Sequence, residues 1–474
     1  MKTHRRESFS AHTAFEKLGV FSWLRAHPFR SAGFGGLSLL LVWLVLSKSL
    51  PYALAPSDPD LALALNPNNP AALIAKAEKA HAQLLTVTGA FEQPAQGASP
   101  SNGGTMDRLP KAEADRVEHR GELDGLRKEI RGLAIQTIAN DPLNAEAFRL
   151  LAETTDSPNG VRVLMREALK RSRRHSTALL WLLNDRYYHK DFGAALDHAD
   201  MLLRTHPELS AYVLNYLALI AEDPEGSRLL VQELGKAPVW RASFFEALPQ
   251  QTKQSDTPLK LMVALKEAGK PPANKELGVY LNYLFSRNSI EAAYNAWLQF
   301  LPKAERESLG LLNHPNFEQD PTGLPFDWQI GQGRNSVAEF QPIGDQGERA
   351  LHVSFGGGRV EFPVVDQVII LPSGKYHLEG RLRGSIIARR GLRWQLLCTN
   401  GSRVLGETEM LTGQAQQWRI FTLEAEVPQS EDCRGQTLRL FHDSRSASEE
   451  LMTGEAWFTG LRLERIGGRD VAVQ

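Results

Sequence analysis

Three regimes of hydrophobic patterning follow one another along the chain. Residues 32–46, AGFGGLSLLLVWLVL, are apolar apart from Ser38. From residue 57 to about 301, apolar positions recur at helical spacing, as in AALIAKAEKAHAQLL and STALLWLLNDRYYHKDFGAALDHADMLL. Beyond Trp328 the period shortens to two. ALHVSF, RVEFPVV, YHLEGRLRGS, LRWQLLCTN, WRIFTLEAEVP, QTLRLFHDS and EAWFTGLRLERI are separated by Gly, Pro, Asn or Ser clusters. Alternation punctuated by turn signals predicts an all-β sandwich or jelly roll. The expected protein is multidomain: a tail at 1–31, a transmembrane helix at 32–54, an α-solenoid at 55–305, a sandwich at 312–468 and a tail at 469–474. Residues 89–110, rich in Gly, Pro, Ser, Ala and Gln, read as a flexible insertion in the helical part.

The first apolar run is short for a span of about 20 residues. It reaches that length if the helix continues to about Tyr52, with the Lys48 amine reaching the interface. Lys2, Arg5, Arg6, Lys17, Arg25 and Arg30 precede it, against Glu7 and Glu16. The positive-inside rule then puts the N-terminus in the cytoplasm and the bulk outside, as for a bacterial inner-membrane protein facing the periplasm. A cleavable signal peptide is the rival, because Ala53-Leu54-Ala55 has the form of a cleavage site. The long region before the apolar run and Pro56 just after that site favour an uncleaved anchor.

Within the helical stretch, Asn144, Ser176 and Glu208 open three similar segments at 32-residue intervals. The unit from Ser176 to Glu208 has an apolar helix, a turn at His189-Lys190-Asp191, a helix carrying Ala194 and Ala195, and a closing Pro207. It resembles a tetratricopeptide repeat, although Leu183 stands where that family usually has Gly and the register is lost after Trp240. The resemblance implies stacked helix pairs and a concave groove that holds a protein partner. The groove positions would be Asn184, Tyr187, Tyr188, Tyr212 and Tyr216. The plainer alternative is that the tyrosines fill gaps between helices.

The C-terminal part opens with HPNFEQDPTGLPFDWQI, continues through GKYHLEGRLRG and a Trp ahead of a strand ending in Val427-Pro428, and closes with GEAWFTGLRLER. In that order these motifs look like a carbohydrate-binding-module-like β-sandwich. The resemblance implies that Phe317, Trp328, Trp418, Trp457 and Phe458 belong to the core. Aromatic rings stack on sugar rings, while Arg, Gln and Asp hydrogen-bond hydroxyls. Trp394, Tyr376, Arg383, Arg393, Gln395 and Asp443 on the middle strands are therefore the glycan-binding candidates, with Trp394 equally readable as core.

At 474 residues and a formal net charge of -1, the chain gives no electrostatic reason to expect nucleic acid. Its two cysteines, Cys398 and Cys433, lack zinc-ligand spacing. If their strands are neighbours, a disulfide in an oxidising compartment would stabilise by on the order of 3–4 kcal/mol; otherwise they are two buried thiols. No nucleophile elbow, phosphate loop, dinucleotide fingerprint or His-Glu-x-x-His occurs, and no cofactor or metal is implied. SFGGGRV reads as a loop or bulge. A glycosidase would need two carboxylates about 5–10 Å apart in one cleft, and nothing in the sequence pairs them. The expectation is a non-catalytic, membrane-anchored accessory protein of exopolysaccharide or cell-envelope polysaccharide assembly. The alternative is a protein scaffold without sugar binding.

Overall fold

The computed structural model describes residues 28–92, 109–344, 348–400 and 403–466. Most of the basic N-terminal tail, most of the expected insertion at 89–110 and the C-terminal tail lie outside them. The chain forms two compact units that meet at residues 206 and 207, well inside the helical region that the patterning presents as one domain.

The first unit is helical. Helix α1 (Pro28–Leu54) contains the stretch Gly36–Leu54, the one described helix that is long and apolar enough to cross a membrane. The stretch Gly36–Leu54 is almost wholly exposed, unlike the core helix of a globular domain. Seven helices follow: α2 (Pro59–Leu65), α3 (Pro70–Glu92), α4 (Leu109–Asn140), α5 (Ala145–Glu153), α6 (Pro158–Arg171), α7 (Ser176–Tyr188) and α8 (Phe192–Thr205). Their starts are written locally. Asp58, Asn144, Ser157 and Asp191 each accept a backbone N–H of the first turn, and Pro59 and Pro158 occupy the first helical positions. α7 opens at Ser176 as expected, capped by His175. Neighbouring helices pack through small and branched residues, Ala77, Ala80 and Leu84 against Ile130 and Ala134, then Phe148 and Ala152 against Met165 and Ala168. Arg149, almost fully buried, is surrounded by Glu78, Glu146 and Glu153. Burial would raise the Glu146 carboxyl, but hydrogen bonds with His175 and Glu78 and the Arg149 guanidinium hold it at about 2.

The second unit begins with a 3₁₀ turn at Pro207–Leu209, where the third repeat was expected to open directly into a helix. Seven helices follow: α9 (Ser210–Glu222), α10 (Pro224–Gly235), α11 (Arg241–Gln251), α12 (Thr257–Glu267), α13 (Asn274–Ser286), α14 (Ile290–Phe300) and α15 (Lys303–Ser308). The rest is a sandwich of two five-stranded antiparallel sheets. One has the order β1 (Gln329–Ile330), β4 (Val365–Ile369), β9 (Gln436–His442), β6 (Leu392–Cys398), β7 (Val404–Glu407). The other has the order β2 (Ser336–Pro342), β3 (Arg349–Arg359), β10 (Leu451–Ile466), β5 (Gly374–Ala388), β8 (Gly413–Val427). Leu351, Val353, Leu378, Leu382, Leu396, Leu438, Leu440 and Phe458 alternate inward from the two sheets into a single core. Of RVEFPVV, only the two end residues are in strands, Arg359 closing β3 and Val365 opening β4; Gly356 to Gly358 extend β3 beside an irregularity in its pairing with β10.

The segment HPNFEQDPTGLPFDWQI joins helices to sheets. Phe317 and Trp328, 5.0 Å apart, enter the sandwich core. Phe326 enters the helical layer instead, 5.4 Å from Phe285, 5.1 Å from Tyr294 and 5.5 Å from Trp297. The buried Asp327 carboxylate fixes the turn between them by accepting the Thr322 and Trp328 amides at 2.7 and 2.8 Å. Cys398 and Cys433 form a disulfide with Cα atoms 4.8 Å apart, and next to it a Cβ on Gly435 would meet Ile290 of α14 at 2.9 Å.

Candidate functional site

Each strand of the second sheet sends every other side chain away from the core. On β10, Ala456 and Phe458 are buried, so Trp457 faces outward and is half-buried. On β8, Phe421, Leu423 and Ala425 are buried, so Ile420 and Trp418 face outward. On β5 the same alternation turns out Arg381 and Arg383, and on β3 it turns out His352.

Register assembles these into a row. His352 pairs with Trp457, and Trp457 pairs with Arg383. Between β5 and β8 the register breaks: Leu382 lies opposite Arg419 and Gly384 opposite Ala415. Gln416, Gln417 and Trp418 thus stand against the single residue Arg383, and this bulge brings the Trp418 ring beneath the Arg383 guanidinium at 5.0 Å. Arg381 approaches the same ring at 5.9 Å. Gly384, at φ 129°, lets β5 approach β10 closely, since a Cβ there would lie 2.3 Å from the Glu455 carbonyl oxygen. At the other end the His352 and Trp457 rings are 4.2 Å apart and inclined at 30°. Nε2 of His352 is 3.2 Å from Glu455, while Nδ1 is buried with no hydrogen-bond partner among the described residues. The face is open: Val337, Ile387 and Ile420 around the row are 51%, 65% and 59% exposed.

The candidates named from sequence fall in three places. Trp394 and Tyr376 are corrected to core. Trp394 is fully buried between Trp328, Phe421 and Phe458, because it shares the inward phase of Leu392 and Leu396. Tyr376 is buried and donates its hydroxyl proton to the Pro372 carbonyl at 2.8 Å. Arg393, Gln395 and Asp443 do come together, on the outer side of the first sheet. There Arg393 pairs with Glu407, Arg390 pairs with Asp443, and Arg439 donates to Gln395 Oε1 at 3.0 and 2.7 Å. Beside this network lies a cleft of about 600 Å³ whose rim charges are also paired, Arg334 with Glu361 and Arg359 with Glu450. On β4, opposite Arg439 of the cleft lining, burial pushes the Asp366 carboxyl up to about 6, against the pull of Arg439. Arg383 alone lies in the aromatic row of the second sheet.

Two residues expected in the core, Trp418 and Trp457, are corrected to the outer face, whereas Phe317, Trp328 and Phe458 are fully buried. The phase of the buried Ala456 and Phe458 on one strand, and of Phe421 to Val427 on the other, is the signal that could have placed both tryptophans outside. The helical groove candidates also divide. Asn184, Tyr187 and Tyr188 belong to the first unit, Tyr212 and Tyr216 to the second. Tyr188 is 73% exposed, whereas Tyr187 packs toward Phe192 at 6.3 Å. Tyr216 is corrected to core because it follows the apolar stripe of α9, and Tyr212, half exposed, sits above it with hydroxyls 3.3 Å apart.

No protein-family model and no curated protein matches the chain. Solved structures resemble the sandwich fold. They include a putative sugar binding protein from Bacteroides thetaiotaomicron, 11% identical over 33% of this chain and 100% of that chain, with a TM-score of 0.24. TmCBM61 in complex with β-1,4-galactotriose is 17% identical over 33% of this chain and 99% of its own, with a TM-score of 0.24. The xylan-binding CBM22-1 domain of Paenibacillus barcinonensis Xyn10C is 11% identical over 32% and 93%, with a TM-score of 0.23.

Proposed function

We propose that the sandwich binds a glycan on the outer face of its second sheet, and that the protein is a non-catalytic accessory factor of exopolysaccharide or cell-envelope polysaccharide assembly. In this reading α1 is an anchor in a bacterial inner membrane, with the N-terminus cytoplasmic and the chain after α1 in the periplasm. The helix pairs dock a protein partner. The observation that carries the glycan reading is the row Trp457, Arg383 and Trp418 on the outer face, with the buried His352 packed against Trp457. Aromatic rings offer apolar faces and edges to sugar C–H groups, and neighbouring polar side chains hydrogen-bond hydroxyls. Trp457 and Trp418 lie on strands two steps apart, about 9.5 Å at ordinary strand spacing, so one extended saccharide can touch both.

The test is a glycan-array and polysaccharide pull-down with the full chain, disulfide intact, beside Trp457→Ala and Trp418→Ala. Binding that both variants weaken supports the reading. A second reading, a protein scaffold of a secretion or division complex without sugar binding, is favoured by one observation: His352 already stacks on Trp457 and Arg383 on Trp418. No glycan binding by the folded chain would select it.

A further inference from the structure

We propose that the glycan taken by this face carries carboxylate groups, as uronate-containing polysaccharides do; this rests on the glycan reading above. The argument is one of unmatched charge. Several basic side chains on the strands of the row have acidic partners: His352 with Glu455, His377 with Glu424, and Arg462 with Glu464. Arg381 and Arg383 have no ion-pair partner among the described residues. Both nonetheless approach the one Trp418 ring, from positions two apart on β5. Two guanidinium groups held this close repel each other, and the ring quadrupole offsets only part of that repulsion.

A carboxylate placed between them would take up both forks, since guanidinium geometry matches a carboxylate bidentately. The setting restricts the ligand further. Glu339, Glu379 and Glu455 face outward on the strands around Arg381 and Arg383. A dense phosphate backbone laid along the row would run into those acids, whereas a sugar chain with intermittent carboxylates would not. Ile420, 59% exposed beside Arg381 in the pairing of β5 with β8, adds an apolar contact suited to the face of a pyranose ring.

The experiment uses the full chain with its disulfide intact. Its affinity is measured for polygalacturonate, alginate and carboxymethylcellulose, each beside a neutral ester or ether of the same backbone. Measurements at low and high salt are repeated with the Arg381→Gln/Arg383→Gln double variant and with Trp418→Ala. The expected result is at least one acidic polymer bound ~10-fold or more tighter than its neutral form. The preference should shrink as salt rises and be abolished in the double variant, with weaker binding in Trp418→Ala. Equal binding of acidic and neutral polymers would keep the glycan reading and overturn this inference. An acid preference that survives in the double variant would overturn it too, by placing recognition elsewhere. Binding of neither form of any polymer, by protein shown to be folded by circular dichroism, would remove the glycan reading and this inference with it. The wild-type comparison of matched polymers stands even if a variant fails to fold.

Discussion

The two outer faces of the sandwich are built from the same residue types and end in opposite states. On the first sheet Arg390, Arg393 and Arg439 are tied to Asp443, Glu407 and Gln395, and the cleft beside them is rimmed by two further ion pairs. On the second, Arg381 and Arg383 lean on an aromatic ring without a carboxylate, next to a histidine with an unpartnered nitrogen. The difference teaches that a concentration of arginines and acids does not mark a binding face. Side chains already held in ion pairs offer a ligand less, since contact must first break existing bonds. A row with open rings and unmatched charge has that capacity left over.

The contrast can be tested from its shared floor outward. Trp394→Ala removes a fully buried ring that touches Trp328, Phe421 and Phe458. It should cost ~3–5 kcal/mol of stability, seen as a lower urea midpoint, and would disturb both faces together. A cost near zero would mean that this ring is not the core element described.

Arg439→Ala strikes the first sheet alone. It leaves Gln395 Oε1 without its two guanidinium donors and strips Phe441 of a cation 4.7 Å above its ring. The expected loss is about 1–3 kcal/mol of stability, with glycan affinity unchanged. Trp457→Ala should do the reverse. The ring is half-buried on an open face, so affinity should fall ~10-fold, about 1.4 kcal/mol, while the urea midpoint moves less than for Arg439→Ala. If affinity follows Arg439 and ignores Trp457, the roles of the two faces are exchanged.

The smallest effect is pH-dependent. Asp366 is pushed up to about 6 by burial, with Arg439 acting against the shift. Between about pH 4 and pH 6 the folded chain then holds a proton that the unfolded chain has released. Stability contributed at this site therefore falls as pH rises through that window. Asp366→Asn should abolish that slope and make the protein more stable above pH 6, by on the order of 1 kcal/mol. Denaturation curves at pH 4 and pH 7.5 check it; an unchanged slope would show that Asp366 is ordinarily solvated.

Much of the fold was legible in the chain. Helical spacing marked the helical region, the repeat unit from Ser176 located α7 and α8, and alternation located six of the seven expected strands. The third repeat start failed because Pro207–Leu209 makes a 3₁₀ turn before α9. RVEFPVV failed because its Val360 and Phe362 are buried in the core from an irregular crossover, so burial there does not signal a strand. The candidate site was read less well. Trp394 reads from sequence equally as a sugar-stacking ring and as core, and its phase with Leu392 and Leu396 sends it inward. Trp418 and Trp457 were taken for core by resemblance, although their own strands turn them out.

By itself the sequence determined the local properties: helix against strand, the apolar segment ahead of the helical region, and the parity of each side chain along its strand. Those follow from spacing along a single stretch of backbone, which a short window contains. Tertiary structure alone decided which strands became neighbours. His352, Arg383, Trp418 and Trp457 stand on four strands spread over more than 100 residues, and only the order β3, β10, β5, β8 makes them a row. It also decided that Arg393 would meet Glu407 and Arg439 would meet Gln395, while Arg381 and Arg383 would meet the Trp418 ring. Charge pairing across a sheet depends on register between distant segments, and no local pattern carries that information.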